Sequence, residues 1–232
     1  MDPTDPNQLA SLASLFQQTL NPEQRKPAED QIGQLQAQPG FGFLLLALVQ
    51  SESTSTAIRL ASAIQFKNLC KTRWNVDAET EDPVFSAISD DEKQTIRQQL
   101  VPVLVSLASA PTPSQAILSQ MNESIALVAS SDFPEAWPAL IDELVSQLST
   151  DNHHVLLSVL ATSHAIFKQW RSQFRSDALY SEINLVLGKM ANPLLELLQR
   201  MHGMLLDPST PSMTMQPLAP VSYTHLTLPT KA

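Results

Sequence analysis

A chain of 232 residues, 43% of them hydrophobic, is long enough for one large domain or a run of small helical units. Five Gly and 6% aromatics argue against a β-sandwich or an α/β enzyme with Gly-rich loops. A net charge of −9 argues against nucleic acid as a partner, since phosphate binding needs a basic stripe, and suits a basic protein ligand instead.

The opening Met1-Asp2-Pro3-Thr4-Asp5-Pro6 is acidic and polar, so no signal peptide is expected. The single Cys70 precludes internal disulfides and fits a reducing compartment. The longest apolar run, Phe43 to Val49, is too short to span a membrane.

Helix punctuation is dense. Asn21-Pro22-Glu23-Gln24, Ser89-Asp90-Asp91-Glu92 and Thr112-Pro113-Ser114-Gln115 read as capping boxes, and Asp151 as a further cap. Pro39-Gly40, Asp82-Pro83 and Pro111 mark breaks. The expected pairs are Gln8–Thr19 with Pro22–Gln36, Phe41–Gln50 with Thr56–Arg73, Asp90–Ser109 with Pro113–Ser130, and Pro134–Leu148 with Asn152–Trp170. A fifth opening helix runs from Asp177 to Leu205. Kinks are expected at Pro102 and Pro193. Asp132-Phe133-Pro134-Glu135-Ala136-Trp137-Pro138 reads as a proline-bearing first helical turn ahead of Leu140, Ile141, Leu144, Val145 and Leu148.

The pairs recur at roughly 35–50 residues, the range of HEAT and armadillo arrays. Ala57, Ile58, Leu60, Ala61, Ala63, Ile64, Phe66, Leu69 and Cys70 form a broad apolar arc, as a helix sandwiched between neighbouring pairs needs. Periodicity alone leaves an α-solenoid and a compact helical bundle both open. From Asp207 the chain is Pro-, Ser-, Thr- and Met-rich without periodicity. Residues 221–232 match nothing before them and are expected to be a non-native tail on a fragment.

No catalytic constellation is present: no Gly-rich phosphate loop, no Gly-x-Ser-x-Gly and no His-Glu-x-x-His. No enzyme and no cofactor are therefore expected. His153, His154 and His164 lack the companions a metal site needs. Cys70 falls in the apolar arc and reads as a small buried residue. Lys67, Asn68, Lys71, Arg73 and Trp74 form the most suggestive strip, with Lys67, Lys71 and Trp74 on one helical face. That strip is either a contact surface for a protein ligand or a solvated helix face whose cations suit the helix dipole. Arg25 and Glu29 are spaced as an ion pair, with Ala28, Ile32 and Leu35 as the buried stripe.

Asn21-Pro22 through Arg25-Lys26-Pro27-Ala28-Glu29 resembles the first HEAT repeat of importin-β-type transport receptors. Phe66-Lys67-Asn68 with Lys71 and Trp74 resembles the second repeat, and Phe133-Pro134-Glu135-Ala136-Trp137-Pro138 the third-to-fourth junction. The run from His154 to Leu187 resembles the branch that carries importin-α out of the nucleus. The resemblance spans about residues 7 to 206. It implies an all-α, right-handed solenoid of HEAT repeats built from antiparallel helix pairs, truncated in the fifth pair. Residues 1–106 would be the N-terminal domain and 107–206 further repeats, followed by a tail from 207.

The resemblance further implies binding of Ran-GTP, importin-α as cargo of the full-length receptor, and shuttling between nucleus and cytoplasm. Gln24, Arg25, Lys67, Asn68 and Lys71 are then candidate Ran-facing residues. Ala28, Glu29, Trp74, Phe133, Pro134, Trp137 and Pro138 are structural signatures. Family members are several times longer, so weak Ran binding and no export by this chain alone are expected. An apolar face of Ile183, Val186, Leu187, Leu194, Leu197 and Leu198 is expected to be exposed. The alternative is a HEAT-repeat scaffold unrelated to Ran, which would show no nucleotide preference.

Overall fold

The computed structural model describes residues 1, 5–75 and 88–206. The described residues form α-helices and short 3₁₀ turns, without strands. The helices are α1 (Pro6–Thr19), α2 (Arg25–Leu35), α3 (Phe41–Gln50), α4 (Thr56–Arg73), α5 (Asp90–Ala108), α6 (Gln115–Asp132), α7 (Leu140–Ser146), α8 (His153–Gln169) and α9 (Asp177–Leu206). The break expected at Asp82-Pro83 and the tail expected over 207–232 lie outside the described residues. Two compact units are present, Met1–Leu194 and the stretch from Leu195 onward.

Within the first unit the helices stack as pairs. α1 packs on α2, α3 on α4 and α5 on α6, while α4, α6 and α8 follow one another side by side. This answers the choice left open by periodicity in favour of a HEAT-repeat solenoid. α3 shows why. Phe41, Leu44, Leu45, Leu46, Leu48 and Val49 are all buried, and α1, α4 and α5 pack around them. A helix apolar on every side is stable only when neighbours cover it all round. α6 is likewise covered by α4, α5 and α8, and buries Met121, Ile125 and Val128.

The α6–α8 seam carries polar pairs as well. Thr162 Oγ1 donates to Asn122 Oδ1 at 2.8 Å, and Gln169 Nε2 to the Ala126 carbonyl at 3.0 Å. These bonds pair polar groups that the packing removes from water.

α3 and α4 begin and end where the sequence indicates; the starts of α1, α2, α6, α7 and α8 differ, α1 beginning at Pro6 rather than Gln8. α2 begins at Arg25, because Asn21 caps a preceding turn through Glu23 N–H at 3.1 Å. At α6 the N-cap is Ser114, without a side-chain cap bond, so the expected box at Thr112 does not form. At α8 the cap is Asn152, whose Oδ1 accepts from the N–H groups of His154 and Val155, and not Asp151. Ser89 does cap α5 through Glu92 N–H, but the Glu92 carboxylate reaches Gly40 N–H instead of closing the box. α5 and α9 run through Pro102 and Pro193.

The largest correction concerns Pro134 and Pro138. They do not form the first turn of a helix; residues 133–136 and 138–139 form turns, and α7 starts at Leu140. The Phe133–Pro134 peptide is cis. Two N–H groups, of Ala136 and Trp137, converge on the Asp132 carbonyl at 2.8 and 2.9 Å. Two prolines so close together remove donors that an α-helical turn needs. Among the described residues, no helix is long and apolar enough to cross a membrane.

α9 opens a fifth pair. In the first unit, Trp170 Nε1 donates to Glu182 at 2.9 Å and Lys189 to Asp142 at 2.7 Å, tying α9 to the ends of α8 and α7. The expected exposed face is only partly exposed: Leu187 is open to solvent, but Val186 is buried and Ile183 intermediate. In the second unit, Leu198 is exposed and Leu197 buried.

Candidate functional site

The candidate strip lies on α4, whose start is fixed by Ser55 Oγ accepting from Ile58 N–H. Ile58, Ala63, Phe66, Leu69 and Cys70 turn inward. The arc is narrower than the sequence suggests, since Ala57 and Ile64 are exposed. Ile64 borders an opening of about 380 Å³ between α1, α2 and α4.

Asn68 and Lys71 project into solvent. Lys67 is half-buried and pairs with Glu123 of α6 at 2.9 Å, across the seam between the second helices of two successive pairs. An ion pair this exposed contributes little stability. Its main effect is to hold the Lys67 ammonium against α6.

Arg73 and Trp74 do not belong to that surface. Both are buried. Arg73 Nη1 donates to the Gln36 carbonyl at 2.7 Å, and burial lowers the pKa of its guanidinium. It also borders a cavity of about 250 Å³ together with Phe41, Leu69 and Glu92. Trp74 sends its indole N–H to Asp132 Oδ1, and Lys93 of α5 lies 5.9 Å from the centroid of its ring. Asp132 in turn pairs through Oδ2 with Arg97 of α5. Phe133 and Trp137 are buried beside this cluster in sequence. Local periodicity places Arg73 and Trp74 at a helix end, but cannot reveal the groups of α2, α5 and α6 that gather round them.

Gln24 and Arg25 are exposed at the start of α2. Arg25 Nε donates to the Thr19 carbonyl at 3.0 Å, so its guanidinium is engaged there rather than with Glu29, which no described salt bridge joins. Ala28 and Ile32 are buried, as expected, while Leu35 is intermediate. The structure thus keeps Lys67, Asn68 and Lys71 together on α4 and carries Gln24 and Arg25 on a different helix.

The remaining chemistry is sparse. Burial pushes the Cys70 thiol upward and keeps it protonated. Among the described residues, no group of three or more His, Cys, Asp or Glu is placed to hold a metal ion. Two polar atoms, Gln120 Oε1 and Glu143 Oε2, are buried without a hydrogen-bond partner among the described residues. Of these Glu143 stands out, since it can carry charge. Nothing in the sequence around Glu143 marks it, because its burial arises from packing between α5 and α7.

Stacked helix pairs, with the second helices α4, α6 and α8 packed side by side, define a helical-repeat protein. The importin-β N-terminal domain profile matches residues 28–106, and the Cse1 profile matches residues 166–226. The chain is 35% identical to Exportin-2 of Drosophila melanogaster over 86% of its length and 20% of that protein's. It is 37% identical to the importin alpha re-exporter of Saccharomyces cerevisiae over 82% of its length and 19% of that protein's. It superimposes with a TM-score of 0.74 on the exportin Cse1 in its cargo-free, cytoplasmic state, at 34% identity, covering 85% of this chain and 20% of that one. The chain belongs to the importin-β family, in the branch of the Cse1-type exportins. It spans about a fifth of the length of these relatives.

Proposed function

We propose that this chain contacts the GTP form of the Ran GTPase through Lys67, Asn68 and Lys71 on α4, with Gln24 and Arg25 contributing from α2. The receptor it represents then carries importin-α from nucleus to cytoplasm together with Ran-GTP. One observation carries the reading: an exposed amide and ammonium, Asn68 and Lys71, stand on a well-packed helix inside the segment that matches the importin-β N-terminal domain. A rigid helix presents polar groups with little ordering cost on binding.

Cargo transport is a property of the longer relatives, so this chain supplies one part of the grip. Dividing a contact between distant segments makes each part weak alone. Nucleotide selectivity follows from differential affinity for the two Ran conformations. The test is a pull-down of this chain with GTP- and GDP-loaded Ran. Retention of the GTP form in excess of the GDP form is expected. Equal retention of both, or of neither at high concentration, contradicts the reading.

A further inference from the structure

The link between α8 and α9 presents a surface of its own. Phe174 lies in it and is 89% exposed, the most open of the large apolar side chains among the described residues. Lys168, near the end of α8, and Arg171 and Arg175, in the link, are exposed close to it in sequence. The side chains of these three cations make no hydrogen bond or ion pair among the described residues. No Asp or Glu lies between Asp151 and Asp177, so this stretch bears +3 within a chain of −9.

Both ends of the link are fastened. Before Phe174, the Trp170 ring stacks on Phe167 with centroids 4.8 Å apart, and its indole N–H donates to Glu182 Oε1 of α9 at 2.9 Å. After Phe174, Ser176 Oγ accepts the Leu179 N–H at 3.2 Å in the first turn of α9. The fold thus anchors one aromatic ring at Trp170 and leaves the next, Phe174, in water. A Phe this exposed forgoes the stabilisation that burial would give, and a partner that covers it restores that term. Aromatic and arginine side chains are also the types that carry most of the energy of protein contacts.

We propose that the α8–α9 link is a docking site for an acidic segment of a partner protein. Carboxylates of the segment pair with Arg171, Arg175 and Lys168, and one of its apolar side chains packs on the Phe174 ring. A guanidinium matches a carboxylate with two parallel hydrogen bonds, and both arginines here are free to make them. Arg171 and Arg175 are four residues apart, so their Cα atoms lie within about 14 Å of each other, a distance that an extended peptide of about five residues covers. Nucleic acid fits less well, because the surrounding chain is acidic and repels phosphates. The site is independent of the Ran reading: none of its residues lies on α2 or α4, and its test needs no GTPase.

The test titrates the whole chain into a fluorescein-labelled peptide, Glu-Asp-Leu-Glu-Asp-Leu-Glu, and follows anisotropy at low and at physiological salt. Two probes serve for comparison: the same peptide with Gln and Asn in place of its acids, and a single-stranded thymidine oligonucleotide of equal charge. Saturable binding of the acidic peptide is expected, about tenfold or more tighter than either comparison probe and weaker at the higher salt. Phe174→Ser should weaken the acidic peptide about tenfold while its salt dependence stays. The double variant Arg171→Gln with Arg175→Gln should remove most of the salt dependence. All three side chains are exposed, so unfolding midpoints should not move. No saturation by the acidic peptide, equal binding of its amide counterpart, tighter binding of the oligonucleotide, or wild-type affinity in Phe174→Ser would overturn the proposal.

Discussion

The indole N–H of Trp74 donates to Asp132 Oδ1 at 3.0 Å, across 58 positions of sequence. This bond joins the end of α4 to the end of α6, and the pairing of Asp132 with Arg97 adds α5 to the same point. The Asp132 backbone carbonyl also accepts the two N–H groups that shape the turn before α7. One residue therefore registers three helices and the exit of the chain from α6. Asp132 and Arg97 are only 10% and 14% exposed, so neither can be rehydrated cheaply if the other is lost.

Asp132→Ala is expected to destabilise the fold by about 3–5 kcal/mol, because it strands the Arg97 charge as well as removing two bonds. Trp74→Phe leaves the ion pair intact and is expected to cost less, about 1–3 kcal/mol. Urea denaturation followed by far-UV circular dichroism measures both. A smaller loss in Asp132→Ala than in Trp74→Phe would contradict the hub.

Asn152, rather than Asp151, caps α8. Asn152→Ala should therefore cost about 1 kcal/mol, and Asp151→Ala little. Thermal unfolding of the two variants distinguishes them.

Gly40 has φ +83°, and a Cβ there would meet the Met1 carbonyl oxygen at 2.5 Å. Gly40→Ala should destabilise by about 1–2 kcal/mol from the backbone conformation alone. Gly33 lies inside α2, and a methyl group added there would find nothing within 4 Å. Gly33→Ala should stabilise by about 0.5–1 kcal/mol through lower chain entropy in the unfolded state. Denaturant midpoints for the pair should move in opposite directions.

Glu143 titrates above the ordinary carboxylate range, by desolvation first and Asp142 second. In the interval between its unfolded and folded pKa values the native state holds more proton than the unfolded state. Stability contributed by this group is therefore present at lower pH and is lost as pH rises through the folded value. Glu143→Gln should remove that slope and raise stability at neutral pH. Stability against pH for the two proteins, compared by denaturation, provides the check.

Much of the fold is legible in the residues. The limits of α3 and α4 follow from Gly40 before one helix, Ser55 before the other, and the apolar blocks between. The α7 start is not, because a proline near an apolar run suits both a first helical turn and a tight turn. The decision rests on the Asp132 carbonyl collecting two N–H groups, a local competition that periodicity does not register. Asp151 and Asn152 are equally able caps in sequence, and the fold uses the second. In the candidate strip, the exposure of Asn68 and Lys71 is readable from helical spacing, whereas the burial of Arg73 and Trp74 depends on Gln36 and Asp132. Glu143 is the clearest case of a group whose state comes first from tertiary packing, with its sequence neighbour Asp142 adding to it.

The most direct measurement of the central claim is the affinity of Ran-GTP for the wild-type chain, for Lys71→Glu, and for the exchanged pair Lys67→Glu with Glu123→Lys. The exchange preserves an ion pair worth no more than about 1 kcal/mol, so the fold should stand while the contact surface changes sign at Lys67. Both variants are expected to lose about tenfold or more in affinity for the GTP form, with unfolding midpoints unchanged. Wild-type affinity in both variants would contradict a Ran contact on α4.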